Sequence, residues 1–162
     1  IRIAQENDVP SRIVESVVEV NAAQKARMVK KIRTLLGDVT GKTIAILGLT
    51  FKPETDDMRD SPSLSIIPPL LDKGAIIKAH DPKGFKEAKH ELPDTVQYVD
   101  DINDVITDAD AIVIMTEWNE YRSLDLAELK KKMRGNAFID LRNVYERHAV
   151  EAAGFDYAAV GR

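Results

Sequence analysis

From Gly41 onward the chain alternates short apolar runs with amphipathic stretches, and no other feature limits its fold so tightly. Residues 43–49 (TIAILGL), 75–80 (AIIKAH), 96–99 (VQYV), 111–115 (AIVIM) and 137–141 (AFIDL) read as strands, and 155–158 (FDYA) adds a sixth at the edge. Helices are predicted between them. One starts at Ser61-Pro62 with Leu64, Ile67, Leu70 and Leu71 on one face; others cover 85–90, 102–106 and 124–133, the last with Leu126, Leu129 and Met133 as its apolar stripe. Pro68-Pro69 should kink or split the first of these, because each ring removes a backbone donor. The run 111–115 has no polar residue, which suits a central strand buried on both faces. Strands alternating with helices build a parallel sheet through right-handed crossovers. Five such strands most simply make an α/β, doubly wound, Rossmann-like sheet of order 3-2-1-4-5.

A long helical pattern over residues 11–36 precedes that sheet. Ser11 or Asp8 can cap it, and Pro10 suits its first turn. Val14, Val18, Ala22, Val29, Ile32 and Leu36 recur at three- or four-residue spacing, with Lys25 interrupting the stripe, and Gly37 is a natural stop. At 1.5 Å per residue the helix is about 39 Å long, which suits a helix that joins domains or packs against a partner. The alternative is a helix lying across its own domain. The first eight residues, IRIAQEND, lack both an initiator Met and the basic-then-apolar pattern of a signal peptide. They read as the tail of a helix begun earlier, so a piece of a longer chain is expected.

The 23 basic residues against 27 acidic ones leave a net charge of −4, without the basic surplus of a nucleic-acid binder. No apolar run approaches the ~20 residues that cross a bilayer. The absence of Cys excludes a disulfide framework, a zinc–thiolate site and a thiol nucleophile within these residues, and fits a reducing, cytoplasmic setting. His80, His90 and His148 share no metal-ligand spacing, so no metal site is expected.

In a doubly wound sheet ligands bind beyond the carboxyl ends of the strands, at the switch between strands 1 and 4. The polar and cationic residues of this sequence gather at those ends. The loop after strand 1, residues 50–61, contains Lys52 and Arg59. With only Gly48 it lacks the three glycines of a dinucleotide fingerprint, which argues against ordinary NAD binding by this domain. A flexible ammonium and a fork-shaped guanidinium suit a diphosphate, each charge-assisted bond contributing roughly 1.5–3 kcal/mol. Arg59 can instead pair with Asp56, Asp57 or Asp60, and Lys52 can be plain solvated surface. Asp81, before Pro82, can bind a ribose or make a turn; Trp118 can stack on a base or fill core. Arg142, beside Asn143 at the end of strand 5, can meet a phosphate or ribose, or pair with Asp140 or Glu146. A receiver-like domain would need Lys after strand 5, where Arg142 stands.

The stretch Phe51-Lys52-Pro53-Glu54-Thr55-Asp56-Asp57-Met58-Arg59-Asp60-Ser61 (F-K-x-x-T-x-D-x-R-x-S) resembles the UDP-glucose/GDP-mannose dehydrogenase family. Val20-Asn21 with Lys25, Ala79-His80-Asp81-Pro82, Thr116-Glu117-Trp118 and Asp140-Leu141-Arg142-Asn143 extend the likeness over essentially the whole chain. The resemblance implies a central helical segment at 1–37, which dimerises the enzyme, and a UDP-binding Rossmann-like domain at 38–162. It implies Phe51, Lys52 and Arg142 as contacts to a UDP-sugar substrate, and Arg59 as a contact to NAD held mainly by another domain. It further implies oxidation of the sugar C6 alcohol to a carboxylate with two NAD, through a thiohemiacetal and thioester on a Cys that lies upstream of the residues present here. No catalytic residue is expected within this chain. Leu141, where family members often have Gly, departs from the pattern.

Overall fold

The computed structural model describes residues 11–161. Six parallel strands form one sheet in the order β3-β2-β1-β4-β5-β6. They are β1 (Thr43–Leu47), β2 (Ile76–His80), β3 (Gln97–Tyr98), β4 (Ala111–Ile114), β5 (Ala137–Asp140) and β6 (Asp156–Ala159). The expected order is present, with the sixth strand at the edge beside β5. Successive side chains of a strand point to opposite faces. Ile44 and Ile46 therefore face one layer while Ala45 and Leu47 face the other, and all four are fully buried.

The first layer holds α1 (Arg12–Leu36), α2 (Ser63–Leu71) and α3 (Phe85–Glu91), which contribute Met28, Ile32, Ile66, Ile67, Leu70 and Ala88 to its core. The second holds α4 (Ile102–Ile106), α5 (Leu126–Lys132) and α6 (Arg147–Ala152), with Val105, Ile106, Leu129 and Val150 around Phe138. Burying each such side chain contributes roughly 1.5–3 kcal/mol, and that sum drives the two layers onto the sheet.

Four local differences from the sequence reading have physical causes. Residues 63–71 form one helix despite Pro68 and Pro69. The prolines lie in its last turn, Asp72 N–H closes that turn on Pro68 O at 2.9 Å, and fully buried Ile66, Ile67 and Leu70 hold it by packing. The third strand shrinks to two residues, because at the sheet edge it pairs with β2 only through Lys78–Gln97 and Ala79–Tyr98. A single-turn 3₁₀ helix (Asn119–Ser123) and α6 were not anticipated; α6 buries only Val150, so it leaves no periodic stripe. Finally, the stripe on α1 is half used. Met28 and Ile32 are buried, whereas Val14, Val17, Val18 and Val20 are about half exposed or more. Ser11 is the N-cap residue without a side-chain bond to the backbone, and Gly37 ends the helix with φ 72°. The alternative cap at Asp8, Pro10 and the expected earlier helix all lie outside the described residues.

Candidate functional site

The chain leaves β1 through Gly48, whose φ of 92° suits glycine. A Cβ there would sit 2.5 Å from Thr116 Cβ, at the end of β4. Thr116 Oγ1 also donates to Thr50 O at 2.6 Å. Backbone and side chain thus fill the switch point between β1 and β4, where the sequence reading placed the ligand. The open space lies to one side of it.

Residues 49–63 are braced from within. Buried Asp81 accepts hydrogen bonds from Leu49 N–H (2.7 Å), Thr50 N–H, Thr50 Oγ1 and the Trp118 indole N–H (3.3 Å) on one oxygen, and from Lys83 and Gly84 N–H on the other. Asp81 is therefore a buried turn-former, and Trp118 is core. Ser61 and Ser63 hydroxyls both donate to Leu49 O. Phe51 N–H donates to Asp57 O, and Asp57 N–H donates to Thr55 Oγ1. Asp57 in turn takes Arg59 Nε (2.9 Å) and Nη2 (2.7 Å), and these bonds with the Arg59 backbone N–H lower its pKa to about 2. Much of the F-K-x-x-T-x-D-x-R-x-S pattern thus builds the loop. Glu54 and Asp60 adopt left-handed backbone there, at φ 61° and 60°, a strain of ~1–3 kcal/mol each that clusters at functional sites.

A cavity of about 930 Å³ opens between α1, α2 and the carboxyl ends of β4, β5 and β6. Asn21 and Lys25 of α1 line it with Phe51, Asp60, Met115 and Arg142. The four-residue spacing of Asn21 and Lys25 puts them on one helix face, and Lys25 Nζ donates to Asp60 O at 2.9 Å, tying α1 to the loop. Phe51 is 46% exposed although apolar, with its ring at the wall.

Arg142 is set by two carboxylates. Its backbone N–H donates to buried Asp140, which also takes the Tyr145 N–H. Its guanidinium pairs two-pronged with Glu117, Nη2 donating at 2.7 Å and Nε donating to the second oxygen. Burial pushes the Glu117 carboxyl up, but the Arg142 bonds and a backbone N–H outweigh it, so its pKa lies below the ordinary value. The salt bridge foreseen for Arg142 exists, but to Glu117 rather than to Asp140 or Glu146.

Phe51 and Arg142, far apart in the chain, thus meet in one cavity. Lys52 is exposed and does not line that cavity; its charge is felt by Asp57. Arg59 is almost wholly exposed and engaged with Asp57, also off the cavity wall. Sequence reasoning missed Glu117 as the partner of Arg142. It quoted Asn21 and Lys25 only as matches; their spacing on the helix was the signal that marks them as a shared wall.

Residues 45–147 match the family model for the UDP binding domain of the UDP-glucose/GDP-mannose dehydrogenase family. The chain belongs to that family. Curated relatives in the family include the UDP-glucose 6-dehydrogenase of Rhizobium meliloti, 44% identical over all of this chain and 37% of that protein, and TuaD of Bacillus subtilis, 38% identical over all of this chain and 35% of that protein. The chain therefore spans little more than a third of the relatives it matches. Among solved structures, a UDP-glucose dehydrogenase from Pyrobaculum islandicum superposes with TM-score 0.78 at 31% identity, over 91% of this chain and 33% of that one. An NDP-N-acetyl-D-galactosaminuronic acid dehydrogenase from Methanosarcina mazei gives TM-score 0.73 at 31% identity, over 87% and 29%.

Within this dehydrogenase family the chain represents the UDP binding domain, and its residues do not fit a dinucleotide in the ordinary mode. One glycine stands where three are needed, Thr116 closes the crevice, and the connection from β1 to α2 is long and internally braced. Among the described residues no cluster suits a metal ion, and no helix is long and apolar enough to cross a membrane.

Proposed function

We propose that this chain is the nucleotide-holding part of an NAD-dependent UDP-glucose 6-dehydrogenase, which oxidises UDP-glucose to UDP-glucuronate. The observation that carries this reading is the shared cavity of Phe51 and Arg142 under α1. At about 930 Å³ it is large enough for a nucleoside diphosphate sugar, since ligand pockets run from roughly 300 to 1,000 Å³. Arg142 supplies paired donors for phosphate oxygens and Phe51 an apolar face for a base or sugar, while Lys52, exposed and off the cavity wall, adds an ammonium on the same loop as Phe51. Fixing the nucleotide end orients the sugar C6 toward groups outside this chain. NAD, which accepts hydride when bound, belongs mainly to another domain, with Arg59 reaching toward it. Without a Cys the chain alone has no dehydrogenase activity on this reading.

The same reading assigns residues 1–37 to the helical segment and 38–162 to the UDP-binding domain. It makes the protein a cytoplasmic homodimer joined through α1, with neither nucleic acid nor membrane as partner. A second reading is a sister dehydrogenase for a UDP-N-acetylhexosamine or GDP-mannose, and the likeness to the Methanosarcina mazei enzyme favours the N-acetylhexosamine form of it.

Titration calorimetry with UDP tests the site. UDP should bind this chain, and Arg142→Ala and Lys52→Ala should each weaken it about tenfold, as the loss of one charge-assisted bond predicts. Unchanged affinity in both variants removes the assigned site. Tighter binding of GDP than of UDP would select GDP-mannose as the sugar nucleotide.

A further inference from the structure

Thr116, Glu117 and Trp118 follow β4 as three consecutive residues, and each side chain reaches a different segment of the site. Thr116 Oγ1 holds Thr50 O, next to Phe51. Trp118 Nε1 holds Asp81, the carboxylate that also takes the Leu49 and Thr50 N–H groups. Glu117, between them, holds the guanidinium of Arg142 after β5. The tripeptide therefore connects the segment carrying Phe51 with the segment carrying Arg142. Its own backbone is fixed on both sides of Glu117.

We propose that Glu117 is a positioning residue for nucleotide binding: it grips Arg142 by one edge and presents the other edge to the cavity. The proposal rests on the reading of Arg142 as a substrate arm given above. A guanidinium has two two-pronged donor edges, Nε with Nη2 and Nη1 with Nη2. Glu117 occupies the first. Among the described residues Nη1 has no hydrogen-bond partner, so the second edge is free for an anion. Arg142 lines the cavity and Glu117 does not. A carboxylate that competed with the ligand would hold the free edge inside the cavity; Glu117 holds the other edge and does not line the cavity. An Arg side chain loses rotamer freedom when it is fixed, and holding it before the ligand arrives removes much of that cost from binding. Glu117 touches no substrate on this account, so it acts only through Arg142.

The test is a double-mutant cycle read by UDP affinity on this chain, with wild type, Glu117→Gln, Arg142→Ala and the double variant. Glu117→Gln keeps the size of the side chain and removes its charge. It should weaken UDP about fivefold, within the range of coupling between contacting residues. In the Arg142→Ala background the same substitution should change affinity less than twofold. If Arg142→Ala binds too weakly to titrate, Arg142→Lys, which keeps the charge and loses the fork, takes its place in the cycle. Equal or tighter binding by Glu117→Gln overturns the proposal and makes Glu117 a bystander or a competitor. A fivefold loss in both backgrounds also overturns it, because Glu117 then acts through the fold and not through Arg142. Full affinity in Arg142→Ala instead overturns the underlying reading of Arg142, whatever Glu117→Gln does.

Discussion

Gly48 and Thr116 stand so close that a Cβ added to the glycine would fall 2.5 Å from the threonine Cβ and 2.7 Å from its backbone nitrogen. The ends of β1 and β4 are thus pressed together where a dinucleotide-binding sheet is open. That contact moves the available space under α1, against Phe51 and Arg142.

Gly48→Ala is therefore expected to cost about 2–5 kcal/mol, combining ~1–2 kcal/mol for a left-handed residue with ~1–3 kcal/mol of overpacking. Gly41→Ala is the control: its φ is 70°, but nothing lies within 4 Å, so only the backbone cost of ~1–2 kcal/mol applies. Urea midpoints of the two variants compare them directly. Equal losses would mean that the strand ends relax apart without penalty.

Asp81→Asn replaces one acceptor oxygen by an amide that cannot accept. Depending on its orientation, at least the Lys83 and Gly84 N–H groups, or the four donors on the other oxygen, lose their partner. With about 1–3 kcal/mol per buried donor left unpaired, a loss of about 3 kcal/mol is expected in urea unfolding. The chain has a single Trp, so emission from Trp118, whose indole donates to Asp81, reports the same change at the site. A variant with wild-type stability and emission would mean that Asp81 does not brace the loop.

Asp57 should titrate at about 2 in the folded protein, against an ordinary 3.8, because it accepts Arg59 Nε and Nη2 and the Arg59 backbone N–H. Its folded pKa is lowered, so its stabilising contribution is complete above pH 3.8 and lost as the pH falls toward 2. Carboxyl-carbon NMR across that window measures it. Arg59→Ala should raise the midpoint toward 3.8 without restoring it fully, since the backbone N–H remains. An unmoved midpoint in the variant would show that the side-chain pair is absent in solution.

The exposed apolar half of α1 gives the proposed dimer its test. Ile13 is 83% and Val20 66% exposed, on a helix whose other end is packed into the core through Met28 and Ile32. Sedimentation of the chain should show a concentration-dependent dimer, and Val17→Glu with Val20→Glu should return it to monomer, since each charge would be buried unpaired in the contact. A wild-type monomer at high protein concentration would remove α1 as the joining surface.

How much of this was legible beforehand depends on the kind of signal. The run AIVIM announced β4 because a strand buried on both faces needs no polar residue, and alternation of strands with helices dictated parallel crossovers and the order of five strands. Val150 announced nothing, since one buried residue in a six-residue helix makes no period. The family pattern located the loop after β1. It did not reveal that Thr55, Asp57 and Ser61 serve the loop itself, because a hydrogen bond to a backbone group leaves no mark in spacing.

The sequence by itself determined the strands, the helices with a periodic apolar stripe, the order of the sheet and the ends at which charge collects, because hydrophobic period and connection handedness are local properties read along one chain. Only the tertiary structure decided that Glu117, rather than Asp140 or Glu146, pairs with Arg142, that the switch point is closed, and that Phe51 and Arg142 share a cavity while Lys52 stands off its wall. Those outcomes depend on where β1, β4 and β5 end relative to one another. Strand register and loop bracing fix that placement across distances that no local spacing encodes.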